Sequence, residues 1–351
     1  MPSNTHSFDR ATLISRSAQT LEQVGTPTAD AKLTATSLVV ADQRGIYSHG
    51  LLRLPLYVSA IRNGGINARP QLSWHSEHEA IAVLDADAGL GQVAMHAAVN
   101  RIKERAERYG IAAVAVEKSS HYGAGAYWSD QLVAAGMIGF VTSTTGPTVA
   151  PFGGSQPILG TNPLTISLPS SGEFPLTADM ATSAGAYGKV LAARNEGVDI
   201  PEGWAIDADG LPTRDPAAAI AGSLLAFGGH KGSALAVVLE GLAASLGTSY
   251  FAHQTEDIWS NPSSQMNTGH FILGIDTSRF TGRQHTKDRV AELQDAVRNA
   301  GRDGAKILAP GDIEYGNDKK NSSAIALSES TVDQLNALYA ECGLDTITPL
   351  G

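Results

Sequence analysis

His49, Arg53 and Tyr57 stand four residues apart in the segment Ser48-His-Gly-Leu-Leu-Arg-Leu-Pro-Leu-Tyr57. If a helix begins near His49, the three side chains share one face, because residues four apart on a helix are neighbours. A general acid, a guanidinium and a phenol on one face suit reduction of a 2-oxo or 2-imino acid. The guanidinium grips the carboxylate through two hydrogen bonds, and the imidazole supplies a proton to the developing oxyanion or amine. The ordinary alternative is that Ser48 caps the helix while Arg53 and Tyr57 lie on its solvated face. Spacing leaves both readings open.

Other segments carry weaker signals. Ser119-Ser-His121-Tyr122-Gly123-Ala-Gly-Ala-Tyr-Trp128 follows a β-branched run and precedes a helix, so its small residues let a ligand approach the backbone closely; an ordinary tight turn is the alternative. Phe227-Gly-Gly-His230-Lys231-Gly232-Ser233 opens an apolar helix, where backbone amides and a lysine hold phosphate well, yet it lacks the P-loop spacing. Gly89-Leu-Gly91-Gln-Val-Ala94 fits the dinucleotide fingerprint. Asp85 and Asp87 just before it place two carboxylates where a pyrophosphate should approach, which favours an ordinary helix start. His75 and His78 lack a third ligand and read as an exposed polar turn, so no metal is expected.

The elements that must position these groups follow from periodicity. Leu13, Ile14, Ala18, Leu21 and Val24 predict a helix ending at Gly25; further helices are expected over about Pro27–Asp42 and Gly50–Asn63. Ile81–Leu84, Gln92–Tyr109 and Ile111–Val116 form a β-α-β pattern. Short strands broken by Pro147, Pro151, Gly160 and Pro163 predict mixed or antiparallel sheet between Met137 and Pro169. Residues 195–230 read as loop-rich, and Ser233–Leu246 as a helix apolar enough to be buried. A strand is expected over Phe271–Ile275, an exposed helix over Asp288–Ala300, a polar mobile loop over Tyr315–Ser323 and a last helix near Thr331–Cys342. Helices at both ends therefore surround a β-containing centre.

The chain has 351 residues, 42% of them hydrophobic, with 35 acidic against 25 basic side chains and a net charge of −10. That is enough length for one large domain or two ordinary ones, and the acidity argues against nucleic acid or anionic lipid as a partner. No run of eighteen apolar residues occurs, since Glu240 interrupts the longest candidate. The single cysteine, Cys342, forms no intramolecular disulfide, and the amino terminus lacks a signal-peptide pattern, which points to a cytoplasmic protein.

Together the motifs resemble the malate/L-lactate dehydrogenase family of the second, non-Rossmann type. That group also holds sulfolactate and ureidoglycolate dehydrogenases and reductases of Δ1-piperideine-2-carboxylate and Δ1-pyrroline-2-carboxylate. The resemblance runs from Ala41-Asp42 to Pro310-Gly311. It rests on Ser48-His49-Gly50 with Arg53 and Tyr57, Ser120-His121, Pro151-Phe-Gly-Gly154, Leu159-Gly-Thr161-Asn-Pro163, Asp179-Met180-Ala181-Thr-Ser183, Gly188-Lys189, Pro201-Glu-Gly-Trp204 and Gly228-Gly-His-Lys-Gly232.

The resemblance implies an α/β fold with a non-Rossmann, mixed-sheet cofactor domain. A helical dimerisation domain is formed from both chain ends, residues 1–70 with about 310–351. Residues 71–309 then form the cofactor and substrate domain, open to division into two subdomains. A homodimer using NADH or NADPH is implied. His49 becomes the proton donor, supported by Ser48; Arg53 holds the substrate carboxylate, with Tyr57 and Thr161 at the substrate. His121, Tyr122 and Gly123, then Asp179, Met180 and Ala181, then His230, Lys231 and Gly232 line the cofactor, with nicotinamide near Asp179 and phosphates near Lys231. Hydride passes from the nicotinamide to the electrophilic carbon as His49 protonates oxygen or nitrogen.

Two markers conflict over the substrate. His230 in its glycine-rich setting is similar to the cyclic-imine reductases, whereas Lys189 after Gly188 is similar to the hydroxy-acid dehydrogenases. Lys189, as a catalytic cation, suits an anionic alkoxide and disfavours an iminium, so a small 2-oxo or 2-hydroxy acid is expected, with the cyclic imino acid as alternative. A catalytically silent nucleotide-binding dimer is the remote alternative, opposed by the intact Ser48, His49, Arg53 and His121.

Overall fold

The computed structural model describes residues 5–350. The amino-terminal part comprises β1 (Thr5–Asp9), α1 (Arg10–Gln23), α2 (Thr28–Gln43) and, after two 3-10 turns at Tyr47–His49 and Leu51–Arg53, α3 (Leu54–Arg62). Asp9 caps α1 by accepting from the Thr12 amide at 2.7 Å. The third helix thus starts later than its periodicity predicts. Gly50 is extended, and it divides the expected first turn into two short ones.

The central part continues with β2 (Ser73–His75), β3 (Ile81–Asp85), α4 (Gly91–Tyr109), β4 (Ile111–Ser119), α5 (Gly125–Ala134) and β5 (Met137–Ser143). Then come β6 (Val149–Ala150), β7 (Leu164–Leu168), β8 (Leu176–Met180), α6 (Tyr187–Glu196), β9 (Ala205–Ile206), β10 (Pro212–Thr213), α7 (Pro216–Ala221), β11 (Ser223–Leu225) and α8 (His230–Ser245). The chain closes with β12 (Thr268–Asp276), α9 (Arg283–Arg298), α10 (Asp312–Lys320), β13 (Ala324–Ser328) and α11 (Glu329–Glu341).

The main sheet has seven strands in the order β2-β3-β4-β12-β5-β7-β8. Only β3 and β4, joined through α4, run parallel; every other neighbouring pair is antiparallel. This mixed sheet is not the parallel, doubly wound arrangement of a Rossmann domain. A four-stranded sheet, β10-β9-β11-β6, stands beside a small core that includes Val149, Val190, Ile200 and Leu224.

The chain ends meet. β1 pairs antiparallel with β13, and one apolar core draws Phe8, Leu13, Leu21, Leu38 and Leu54 together with Ile325, Leu335 and Tyr339. A second core packs α4 and α5 on the main sheet through Val99, Ile102, Trp128 and Ile272.

Two local expectations are corrected. Residues 315–323 are not a mobile loop: most of the segment lies in α10, anchored by buried Tyr315. Its hydroxyl donates to Asp130 Oδ1 at 2.5 Å and meets Thr177 Oγ1 at 2.8 Å, while Arg44 lies over its ring and pairs with Asp130 at 2.7 Å. These tertiary contacts override the polarity of the segment. Nor is α8 buried on all sides, since Val237 and Val238 are 50% and 65% exposed. The stretch 195–230, expected as loop, holds β9, β10, α7 and β11 in short pieces.

Candidate active site

The two 3-10 turns that replace the start of α3 keep His49 and Arg53 together. Ser48 Oγ lies 2.8 Å from His49 Nδ1, which leaves Nε2 as the nitrogen available to exchange a proton. Arg53 Nε donates to the Ser48 carbonyl at 2.7 Å. Among the described residues, the terminal nitrogens of Arg53 carry no hydrogen bond or ion pair, so both remain for a carboxylate. Burial, helped by the Arg53 charge, pushes the His49 pKa down to about 4.

Beneath this turn sits a residue that sequence reading left without a role. Asp42 is buried at the end of α2, and its carboxylate accepts from the Leu51 amide at 2.7 Å. A Cβ at position 50 would collide with that carboxylate, so glycine is required between His49 and Arg53. Removal from water raises Asp42 to about 8, against the opposing pull of the Leu51 amide. The carboxyl is therefore largely neutral at physiological pH.

His121 joins this group. Its ring stacks on His49 with centroids 5.5 Å apart, and its Nδ1 lies 2.6 Å from the Tyr57 hydroxyl. Gln92 Nε2 donates to that same hydroxyl at 3.1 Å, so the phenol gives its own proton to His121 Nδ1. The His121 proton then sits on Nε2. Tyr57 is fully buried, and burial raises its pKa to about 12; it orients His121 and has no exposed surface for substrate. Tyr57 is thus positioned to support the His121 ring. His121, expected along the cofactor, lies against His49. Behind it, Tyr122 meets the edge of His270, whose two ring nitrogens are each 2.8 Å from a serine hydroxyl, Ser143 and Ser119.

A segment without any signal in the sequence forms the opposite wall. Trp259 places its ring under the Arg53 guanidinium, 4.7 Å from the centroid, and meets the edge of His121 at 5.5 Å. The segment is pinned by Glu240, the acidic residue inside apolar α8. Glu240 accepts from Asn162 Nδ2 and, through Oε1, from the Ala252 amide at 2.5 Å. One buried carboxylate so ties the Thr161 loop to the Trp259 segment. Thr161 is held through its amide by Thr145 Oγ1 at 2.9 Å and through its carbonyl by the Thr182 amide at 2.8 Å.

The expected cofactor stretches are spread around this centre. Asp179, at the end of β8, accepts from Thr165 Oγ1 at 2.7 Å and from the Ala126 amide at 3.0 Å, so it holds the start of α5. Met180 beside it is exposed, Ala181 is partly exposed, and Gly123 supplies a left-handed turn (φ 84°) before α5. Tyr122 is 4% exposed, and its hydroxyl has no partner among the described residues. An orphaned phenol facing the Asp179 charge fits a polar aromatic amide such as nicotinamide. His230 and Lys231 are exposed on the first turn of α8, free for an anion, whereas Gly232 is buried against Phe227 and serves packing. Lys189 is exposed on α6, where its amide donates to the Ala186 carbonyl at 2.9 Å, and its side chain makes no hydrogen bond or ion pair among the described residues; nothing brings it into contact with His49. The Gly89 fingerprint is closed, because Ser120 Oγ accepts from the Gly91 amide at 3.1 Å and donates to the Gly89 carbonyl at 2.9 Å. His75, Asp85 and Glu117 approach one another, but Lys118 Nζ already neutralises Asp85 at 2.5 Å.

A non-Rossmann mixed sheet carrying an imidazole beside an unpaired guanidinium fits an oxidoreductase that handles a small carboxylic acid. Comparison with known proteins agrees: the chain belongs to the malate/L-lactate dehydrogenase family, whose profile matches residues 8–336. It is 37% identical over 326 residues to the L-sulfolactate dehydrogenase of Methanocaldococcus jannaschii, covering 93% of this chain and 94% of that one. The solved structure of the sulfolactate dehydrogenase from that organism superposes with a TM-score of 0.91 at 36% identity, over 97% and 98% of the two chains. The Δ1-piperideine-2-carboxylate reductase of Pseudomonas syringae superposes with a TM-score of 0.86 at 30% identity, over 95% and 99%. The chain is thus a dehydrogenase of the hydroxy-acid class.

Proposed function

We propose that the protein interconverts a small 2-oxo acid and its 2-hydroxy acid, with NADH or NADPH giving the hydride in reduction and NAD+ or NADP+ accepting it in oxidation. The observation that carries this reading is His49, fixed through Nδ1 by Ser48, beside an Arg53 whose terminal nitrogens are unpaired. Arg53 grips the substrate carboxylate and orients the carbonyl; His49 Nε2 gives the oxygen its proton in reduction and takes it back in oxidation; His121 Nε2–H donates a second hydrogen bond to the same oxygen. Thr161 and Trp259 bound the substrate. The nicotinamide, when bound, supplies the hydride. Tyr122, Gly123, Asp179, Met180 and Ala181 hold its ring end, and His230 with Lys231 its phosphates. Lys189 contributes positive charge.

A second reading, reduction of a cyclic 2-imino acid, is favoured by His230 in its glycine-rich turn and by the likeness to a protein named as a piperideine-2-carboxylate reductase. The helical domain built from both chain ends, residues 1–70 and about 310–351, packs on an α/β domain over 71–309. The protein works in the cytoplasm as a homodimer; association is supported by the exposed apolar side chains Val237, Val238 and Leu246 of α8 and its C-cap.

Oxidation of NADH and of NADPH, followed by absorbance with pyruvate, oxaloacetate or Δ1-piperideine-2-carboxylate, tests the proposal. His49-dependent turnover of an oxo acid supports it. Turnover confined to the imine establishes the second reading, and no turnover of any oxo acid refutes the first.

A further inference from the structure

The Gly89-Leu-Gly91-Gln92 turn, whose spacing mimics a dinucleotide fingerprint, packs against the backbone of Ser120 and His121. A Cβ on Gly91 would come within 2.3 Å of the Ser120 carbonyl oxygen and 2.6 Å of the His121 carbonyl oxygen, so glycine is what lets the first turn of α4 approach so closely. Ser120 Oγ closes the contact by accepting from the Gly91 amide and donating to the Gly89 carbonyl. The next residue, Gln92, is fully buried, and its Nε2 donates to the Tyr57 hydroxyl at 3.1 Å. An amide nitrogen has hydrogens to give and no lone pair to offer. The phenol therefore keeps its own hydrogen for His121 Nδ1, 2.6 Å away. Burial and the neighbouring charges hold His121 well below the ordinary histidine pKa, so at neutral pH its ring carries one hydrogen, and Nε2 is the nitrogen left to carry it.

We infer that Gln92 is a positioning residue that fixes the tautomer of His121 through Tyr57, so that a protonated Nε2 is the one presented beside His49. The turn at 89–92 then serves as the mount of an imidazole, not as a phosphate cradle. Without the amide, the phenol can turn its hydrogen either way. It can donate to Nδ1 as before, or it can accept from a hydrogen on Nδ1 and leave Nε2 bare. A bare Nε2 gives no hydrogen bond to a substrate oxygen and sets a second lone pair beside that of His49. This kinetic consequence rests on the dehydrogenase reading, in which both imidazoles face one oxygen; the tautomer itself does not.

The test is a double-mutant cycle with Gln92→Met, Tyr57→Phe and both together, read in two ways. Nitrogen NMR spectra of the histidine-labelled enzyme at neutral pH, without substrate, report which ring nitrogen of His121 carries the hydrogen, its signals being those lost in His121→Asn. The wild type is expected to show a protonated Nε2 and a bare Nδ1, and Gln92→Met should move the two signals towards each other. In turnover, Gln92→Met should lower kcat by about three- to tenfold with KM for the oxo acid changed by less than about twofold. It should cost nothing further in the Tyr57→Phe background, where no hydroxyl remains for the amide to orient. Methionine is close to glutamine in length and volume, and the wild-type spectrum alone tests the tautomer should the variant not fold. A wild-type hydrogen on Nδ1, wild-type ring signals in Gln92→Met, or a Gln92→Met loss undiminished in the Tyr57→Phe background overturns the inference and makes Gln92 a packing residue. Ring signals that move as expected while kcat stays unchanged support the tautomer assignment and instead remove His121 from the chemistry of the dehydrogenase reading.

Discussion

The imidazoles of His49 and His121 lie face to face, their centroids 5.5 Å apart and their planes 26° from parallel. Burial and the neighbouring Arg53 hold both below their ordinary pKa, so the stack is a pair of neutral rings. Stacked cations would repel each other, and a proton arriving on one ring opposes a proton on the other. In the proposed mechanism, His49 with Nε2 open and His121 with Nε2–H would divide the work on one substrate oxygen.

His49→Ala should lower kcat by about 10² to 10⁴, with KM changed by less than about threefold, because the proton is needed in the transition state and not for binding. Tyr57→Phe should lower kcat only by about tenfold, since it frees His121 to take the other tautomer without removing a substrate contact. Steady-state kinetics on the same oxo acid separates the two. Equal losses would place Tyr57 at the substrate after all.

The pH dependence follows from the His49 pKa of about 4. In the direction of hydroxy-acid oxidation, His49 must be deprotonated, as it is at neutral pH. The kcat/KM for oxidation should stay flat from about pH 8 down to about 5 and fall only as pH drops through about 4. In the direction of reduction, the protonated fraction shrinks as pH rises, so kcat/KM should decline towards alkaline pH. An inflection at the ordinary histidine pKa in the oxidative profile would contradict the burial argument.

Asp42→Asn should keep activity within about threefold, because an amide oxygen still accepts from Leu51 at a site where the acid is mainly neutral. Asp42→Ala should lose more than about tenfold in kcat by loosening the His49–Gly50–Leu51 turn. The folded Asp42 pKa of about 8 lies above its unfolded value, so the wild type loses stability from this group as pH rises from about 4 to 8. Asparagine does not, and melting curves should show Asp42→Asn gaining on the wild type across that range.

Glu240→Ala strands Asn162 and the Ala252 amide without their shared acceptor. The expected result is a rise in KM for the oxo acid of about tenfold with a smaller change in KM for the cofactor, because both tethered segments border the substrate. Glu240→Gln, which can satisfy one tether but not both, should fall between. Equal effects on both KM values would make Glu240 a general packing residue.

Much of this was legible in the sequence. Apolar periodicity placed α1, α2, α4 and α11 to within a few residues, and the Ser48–Arg53 spacing foretold that these side chains meet, even though they occupy two 3-10 turns and no α-helix. The misses share a cause. Tyr315 reads as part of a polar loop, yet it is a buried anchor because Asp130, 185 residues away, and Thr177 complete its hydrogen bonds. Glu240 reads as a flaw in an apolar helix until Asn162 and Ala252 are seen on its two oxygens. Trp259 sits in a stretch with no periodicity, and only the position of Arg53 gives it meaning. Contacts distant along the chain leave no local pattern to read.

The placement of β12 bears on how the chain reaches this structure. It lies between β4 and β5, and His270 within it bridges Ser119 and Ser143 on those two strands, although β12 is made more than a hundred residues after both. During synthesis, β4 and β5 emerge with the seat between them vacant and their backbone edges exposed. The sheet closes only when β12 arrives, which makes folding a late, non-local event with a window for edge-to-edge association. Nascent chains halted before Thr268 should therefore be captured by chaperones or aggregate, whereas those that include Asp276 escape both fates.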